Sequence, residues 1–271
     1  MKQIVFISMI LLAACSPKPV ATIPSNIVTV SNIPNTSIVV SGKLFATIFQ
    51  QKAAEYRALC FQAYNIARLR LDHYKPYSAK PKAIVTDIDE TLLDNSPYEA
   101  HQVLKGKDYD PASWNEWTAK GIADTMPGAA SFLKYAASKG ITIFYITNRD
   151  DKEKAGTLKN LKLFNLPNAD STHLMSRKNS SSKEARRQTV SATHEIMMLI
   201  GDNLADFSVL FDKRTSDDRL VNTNFSAADF GNRFIVLPNS TYGDWESAMY
   251  NYNKYTIAQK DSVLKTILKT Y

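Results

Sequence analysis

Five residues, Lys82-Ala83-Ile84-Val85-Thr86, run straight into Asp87-Ile88-Asp89-Glu90-Thr91. The run is too short for a helix and rich in strand formers, so it predicts a buried strand that delivers two carboxylates at its C-terminal end. In an open α/β sheet, ligands gather at the carboxyl ends of the strands. Two like charges this close repel each other, and a bound cation is the usual remedy. With the cation in place, one carboxylate can attack while the other moves a proton. A strand closing in an acidic turn fits the same residues, because Asp is common in turns. The pair therefore takes its meaning from its context.

Three further segments supply that context. Ile141-Thr142-Ile143-Phe144-Tyr145-Ile146 predicts a second buried strand, ending in Thr147-Asn148-Arg149. Ile196-Met197-Met198-Leu199-Ile200 predicts a third, ending in Gly201-Asp202-Asn203-Leu204-Ala205-Asp206. Between them, Ser180-Ser181-Ser182-Lys183 opens a polar, helix-prone segment that runs to about Thr193. This order of acidic pair, hydroxyl, lysine and second acidic pair resembles the haloacid dehalogenase superfamily of phosphohydrolases. Asp87-Ile88-Asp89-Glu90-Thr91-Leu92-Leu93-Asp94-Asn95-Ser96-Pro97-Tyr98, with Gly201-Asp202-Asn203 and Asp206-Phe207, is similar to the class C bacterial acid phosphatases. Those are outer-membrane lipoproteins, several of which act as 5′-nucleotidases. The resemblance runs from about Lys43 to the C-terminus. It implies an α/β fold with a Rossmann-like core, a mostly parallel sheet, helices on both faces and a small helical cap.

The resemblance also implies roles. Asp87 is the expected nucleophile, passing through an aspartyl-phosphate that water hydrolyses. Asp89 is the expected general acid and then base, with its backbone carbonyl reaching a metal. Asp202, with Asp206 close behind, completes the metal shell. Hard oxygen ligands beside a phosphate indicate Mg²⁺. Thr147, Asn148 and Lys183 complete the phosphate site, and Ser181, Lys183 and Arg186 match the Ser-x-Lys-x-x-Arg arrangement of class C enzymes. Nearby Lys178, Arg186 and Arg187 leave the lysine register open. Trp114, from the cap-like segment, and Tyr242, after the last strand, match the two aromatics that stack on the base in nucleotidase members. Core packing is the competing reading for both rings, and Trp117 and Trp245 are assigned to packing. His73, His101, His173 and His194 are scattered without zinc-site spacing, so no catalytic histidine is expected.

The N-terminus reads as a targeting segment. Lys2 precedes the apolar stretch Ile4 to Leu12, too short to span a bilayer, and Leu12-Ala13-Ala14-Cys15 resembles the bacterial lipoprotein signal. Lipidation of Cys15 would remove residues 1–14, and Ser16 after it favours outer-membrane sorting by the same resemblance. Ordinary secretory cleavage after Ala14 is the alternative. Cys60 then remains alone in a helical pattern, without a disulfide partner, and reads as a small core residue.

With 271 residues and 44% hydrophobic content, one large α/β domain is the natural size reading. The formal charge of +7 is scattered, with small groups at Arg68/Arg70 and Arg186/Arg187. A solvated basic surface accounts for it, attraction of anionic substrates or of an anionic envelope surface is the functional alternative, and no recognised nucleic-acid motif accompanies it. Residues 15–42 read as a tether, although Ile27–Val30 and Ser37–Val40 have the composition of short strands. The phosphatase domain is expected over 43–271: helix from about 43 to 74, a cap-like insertion around 95–125, helix over 128–139, a late strand at Phe234–Pro238 and mostly helix from Asp244 to Lys269. Residues 212–232 read as loop. An oligomer is possible, a dimer first among them.

The expected activity is Mg²⁺-dependent acid hydrolysis of 5′-nucleoside monophosphates. A broad phosphatase acting on aryl or sugar phosphates or phosphotyrosine is one rival. A surface lipoprotein with an adhesive or binding role is the other, and the intact Asp87, Asp89, Lys183 and Asp202 argue against it.

Overall fold

The computed structural model of the protein describes residues 37–271. The expected signal segment, Cys15 and nearly all of the tether lie outside the described residues. Two helices come first, α1 (Ile38–Lys52) and α2 (Ala54–Asp72). Strand β1 (Lys82–Thr86) is followed by β2 (Leu93–Asp94), α3 (Ser96–Val103), α4 (Pro111–Lys120) and β3 (Asp124–Thr125). Helices and strands then alternate as α5 (Ala129–Ser138), β4 (Thr142–Asp150), α6 (Lys154–Leu163), β5 (Leu174–Arg177), α7 (Glu184–Thr193), β6 (Glu195–Gly201), α8 (Ser216–Phe225) and β7 (Phe234–Val236). Helices α9 (Asp244–Met249) and α10 (Ile257–Ile267) end the chain.

The main sheet has the order β5-β4-β1-β6-β7, and every neighbouring pair is parallel. Strand order runs one way from β1 through β4 to β5 and the other way from β1 through β6 to β7. The reversal between β1 and β6 is a topological switch point, where the crossover connections leave to opposite sides and open a crevice. Alternation along the strands divides the core. Ile84, Ile143 and Tyr145 join the larger cluster with Tyr64 and Ala67 of α2 and Leu133 of α5; Ala83, Val85, Phe144 and Ile146 pack on the other face with Val190 of α7. A parallel sheet buried on both faces requires such uninterrupted apolar strands.

Several expectations change. Ser37–Val40 is no strand: Ser37 caps α1 through its hydroxyl, which accepts from the Val40 amide, so α1 begins inside the stretch read as tether. The helix read over 43–74 is two helices, broken at Ala53, because α1 packs on α3 and α10 while α2 packs on α5 and the sheet edge at β7. Residues 212–232 contain α8, capped by Thr215 and opened by Asp217 and Asp218. The cap signals were in the sequence. The apolar period was not, because Leu220, Val221 and Phe225 face outward and only Arg219 is buried. Strand β5 was also missed, a four-residue edge strand with two polar positions. Strand β4 continues to Asp150 and so carries Thr147, Asn148 and Arg149 itself, with a register irregularity after Ile146. The late strand stops at Val236, and a turn with left-handed Asn251 and Tyr252 divides α9 from α10. Gly128 starts α5 at φ +90°, where a Cβ would also crowd the Tyr64 ring.

This division of the surface gives a stability test. Leu133 is fully buried between α5 and the sheet, whereas Phe225 is 83% exposed. Leu133→Ala should lower unfolding free energy by about 2–5 kcal/mol, through lost transfer energy and a cavity. Phe225→Ala should stay within roughly 0.5 kcal/mol of the parent. Urea denaturation of both variants checks the assignment, and comparable losses would contradict it.

Candidate active site

The crevice at the switch point is lined by the C-terminal ends of β1, β4 and β6. Strand β1 hands over to Asp87, whose amide donates to the Ile200 carbonyl of β6 at 2.8 Å. Strand β6 hands over to Asp202, and a short 3₁₀ turn at Leu204–Asp206 brings Asp206 back under it. Oxygen atoms of Asp87, Asp202 and Asp206 lie within 4.8 Å of one another. Gly201 makes this possible: a Cβ there would overlap the Asp206 carboxylate. Asn203 accepts from the Ala205 amide and Asp206 from the Asn203 amide, so the turn is a closed capping box.

Lys183, at the start of α7 and almost fully buried, enters this cluster. Its ammonium donates to Asp87 and lies 2.7 Å from Asp206 Oδ1. Burial alone would lower the lysine pKa, but Asp206 and Asp87 outweigh it and hold the ammonium above its ordinary value. Burial pushes the Asp87 carboxyl up, Lys183 opposes it, and Asp206 and Asp89 push it up again, so it lies above the usual carboxylate range. Burial, then Asp87 and Asp206, raise Asp202 well above that range, even though Asn239 donates to it at 2.7 Å and Thr91 at 3.2 Å. Three carboxylates against one ammonium leave two negative charges uncompensated. An all-oxygen donor set with that excess fits a hard divalent cation.

Asp89 stands apart from the trio. Its carboxylate is held bidentately by Arg149, with Nε to Oδ2 at 3.1 Å and Nη2 to Oδ1 at 2.7 Å, and by the Asn95 side-chain amide at 2.8 Å. Arg149 is itself buried, donating to Thr157 and lying over the Trp114 ring at 5.8 Å. Thr147 is buried beside it, its hydroxyl accepting from the Arg149 amide at 3.0 Å. Asn148 is exposed, and Arg186 pins this part of β4 by donating to the Thr147 carbonyl and to Asn148 Oδ1. Of the basic residues in this stretch, Lys183 reaches the carboxylates, Arg186 braces the Thr147–Asn148 stretch of β4, and Arg187 donates to the Asp206 carbonyl.

The two aromatics share no ring contact. Trp114 is buried in α4, edge-on to Tyr98 at 5.0 Å and near Tyr109 at 6.2 Å. Tyr242 donates its hydroxyl to Glu90, and burial with the Glu90 charge holds the phenol well above its ordinary pKa. Each is linked to the Asp89 region through one residue, Trp114 through Arg149 and Tyr242 through Glu90. Trp117 packs against the core and donates to Asn95, whereas Trp245 is 38% exposed and donates to the Tyr242 carbonyl; it braces that loop and is not a core residue.

Sequence reading passed over Glu90, Asn95, Arg149 and Asn239. Glu90 is fully buried at φ +53°, a conformation that costs a non-glycine residue about 1–3 kcal/mol. Burial and Asp89 push its carboxyl up to about 8, with Tyr242 and the Asn95 amide pulling the other way. A buried, strained acid between Asp89 and Thr91 has no periodic signature, and its only sequence signal is its place inside the motif.

The chain matches the family described as HAD superfamily, subfamily IIIB (Acid phosphatase), over residues 3–245. It is similar to the class C acid phosphatase from Bacillus anthracis, with 42% identity, a TM-score of 0.83 and coverage of 86% of this chain and 99% of that one. A second structure of that class C enzyme, with tungstate bound, gives 41% identity, a TM-score of 0.83 and coverage of 87% and 100%. Acid phosphatase 1 of Solanum lycopersicum is 26% identical over 77 residues, and the chain spans 28% of itself and 30% of that relative's length in the match. With the parallel sheet and the carboxylate-lined switch point, these likenesses settle the family: the chain belongs to subfamily IIIB of the HAD superfamily, the acid phosphatases.

Proposed function

We propose that the chain hydrolyses phosphomonoesters through covalent attack by Asp87, with Mg²⁺ held by Asp87, Asp202 and Asp206. The observation that carries this reading is the carboxylate trio gathered around the Lys183 ammonium. The ion, when bound, offsets the repulsion between an anionic nucleophile and an anionic phosphate. Asp87 Oδ forms a bond to phosphorus as the ester oxygen leaves, and Asp89 gives that oxygen its proton. Asp89 then takes a proton from water, whose oxygen attacks phosphorus and releases inorganic phosphate and free Asp87. Lys183 holds the Asp87 carboxylate and faces the incoming phosphate as a point charge. Thr147, whose hydroxyl accepts from the Arg149 amide and keeps its own proton to give, and Asn148 donate to phosphoryl oxygens. Arg149 orients Asp89. The tungstate-bound relative supports an oxyanion site, since tungstate is a tetrahedral oxyanion.

Asp87→Asn should abolish turnover in a protein that still folds, since an amide is a poor nucleophile. Asp89→Asn should be slow, with the greater loss on alkyl esters, whose leaving oxygen needs the proton more than nitrophenolate does. Chelation should stop the wild type, and Mg²⁺ should restore it. Steady-state rates on both ester types, with and without EDTA, test this set, and full activity after exhaustive chelation would sink the metal assignment.

The preferred substrates are proposed to be 5′-nucleoside monophosphates, their base received between Trp114 and Tyr242. The Trp114 ring lies under the guanidinium that holds Asp89, and Tyr242 is tied to Glu90, the residue after it; both links support the reading. Stacking on an aromatic typically contributes about 1–3 kcal/mol, so Trp114→Ala should raise KM for a nucleotide roughly 5- to 150-fold. A small sugar phosphate should lose much less, with kcat little changed for both. Equal losses on the two substrates would make Trp114 a packing residue and remove the main support for nucleotides.

The protein is further proposed to sit at the bacterial outer membrane, anchored by lipid on Cys15. The Leu12-Ala13-Ala14-Cys15 sequence supports it. No helix among the described residues is long and apolar enough to cross a membrane. Cys15→Ser should yield soluble, active enzyme or unprocessed precursor in cell fractionation. A mature N-terminus other than Cys15 in the wild type would refute lipidation.

A further inference from the structure

Apart from the carboxylate trio, a second charged cluster sits where α1, α3, the α3–α4 loop, α9 and α10 meet, with Lys43 and Glu99 buried and Asp108, Glu246 and Lys260 half-buried. Lys43 of α1 lies 2.6 Å from Asp108 Oδ1 and 3.5 Å from Glu246 Oε2. Lys260 of α10 mirrors it, 2.6 Å from Asp108 Oδ2 and 3.4 Å from Glu246 Oε1. Glu99 of α3 is buried beside Lys43, and burial, opposed by Lys43, pushes its carboxyl up to about 7. Taking five charged groups from four helices and one loop out of water is expensive unless the geometry is tightly held. Two lysines that each reach the same two carboxylates meet that condition.

What the cluster holds is more telling than its stability. Asp108 accepts from the Tyr109 amide at 2.8 Å, and the Tyr109 ring packs on Trp114. Two residues on, Asp110 caps α4, accepting from the Ser113 amide at 2.9 Å, and its carbonyl accepts from the Trp114 amide at 3.0 Å. On the other side Glu246 lies in the first turn of α9, immediately after Tyr242 and Gly243. Trp245, next to Glu246, donates to the Tyr242 carbonyl at 3.0 Å. One end of the cluster therefore grips the Trp114 arm and the other the Tyr242 arm. Both Glu246 and Lys260 lie beyond residue 245, where the family match ends.

We propose that this cluster is a clasp that sets the gap between the Trp114 and Tyr242 arms, with Lys43 and Lys260 as positioning residues for the leaving-group half of the substrate. The inference rests on the substrate reading above. It adds that the fit of the base is governed by charges that never touch it. Rings must be held at the correct spacing before a base can stack on both, so a loosened clasp weakens binding without disturbing the aspartates.

Lys260 is the better test because it is less buried than Lys43. Lys260→Met should raise KM for a nucleoside monophosphate by about 10-fold, inside the range that stacking on an aromatic covers. It should leave kcat and the KM for a small aryl phosphate nearly unchanged, and Lys260→Arg should restore the wild-type values. Hydrogen exchange on the full chain supplies a readout independent of substrate: amides of 109–118 and of 240–246 should exchange faster in Lys260→Met. Faster exchange confined to α10, or equal kinetic changes on both substrates, would overturn the clasp. If Lys260→Met does not fold, Lys260→Gln repeats the measurements with a polar end in place. A wild type that does not prefer nucleotides would sink the substrate reading alone, because the exchange pattern still decides the clasp.

Discussion

A single buried ammonium surrounded by carboxylates governs this molecule. Lys183 is drawn into contact with Asp87 and Asp206 while Asp202 crowds the same space. Such an arrangement is unfavourable in isolation, because each carboxylate loses water and gains like-charged neighbours. It persists because the sheet enforces it. Strands β1 and β6 are hydrogen-bonded neighbours whose C-terminal ends deliver the acids, and α7 begins where its first residues face them. The electrostatic tension is thus carried by the main parallel hydrogen-bond ladder and by the apolar layers on both its faces.

Around that centre the side chains form two anchored walls. On one, Arg149 grips Asp89 bidentately and covers Trp114, so a group proposed to move protons and a group proposed to receive a base share one buried guanidinium. On the other, Glu90 ties Tyr242 and Asn95 together from a left-handed backbone. Charge-assisted hydrogen bonds of this kind fix direction as well as distance. The strain at Glu90 is tolerable because its carboxylate accepts from three donors at once.

How much of this was legible in the sequence depends on range. Asp87, Asp89, Lys183, Asp202 and Asp206 lie at or beside element ends, where a change of hydrophobic period marks their place, while their roles, and that of Thr147 inside β4, come from the family resemblance. Arg149 was in view only as the last residue of a strand end. Its partner lies 60 positions away, and no local pattern encodes a pairing of that span. The break at Ala53 was hidden for a related reason: α1 and α2 keep one helical period but answer to different packing surfaces. Helix α8 shows the converse, with sound cap signals that were outweighed because its apolar residues face outward.

The sequence by itself determined the alternating strands and helices, the strand ends that carry acids, and the kind of chemistry those acids can perform. Those features depend on neighbours along the chain, on side-chain periodicity and on caps. Only the tertiary structure decided that Asp206 folds back under Gly201, that Arg149 and not the carboxylate trio takes the Asp89 side chain, and that Lys43 and Lys260 each reach both Asp108 and Glu246. Each of these pairs distant residues by burial and charge, and such pairings come into being only when the sheet and its helices have closed.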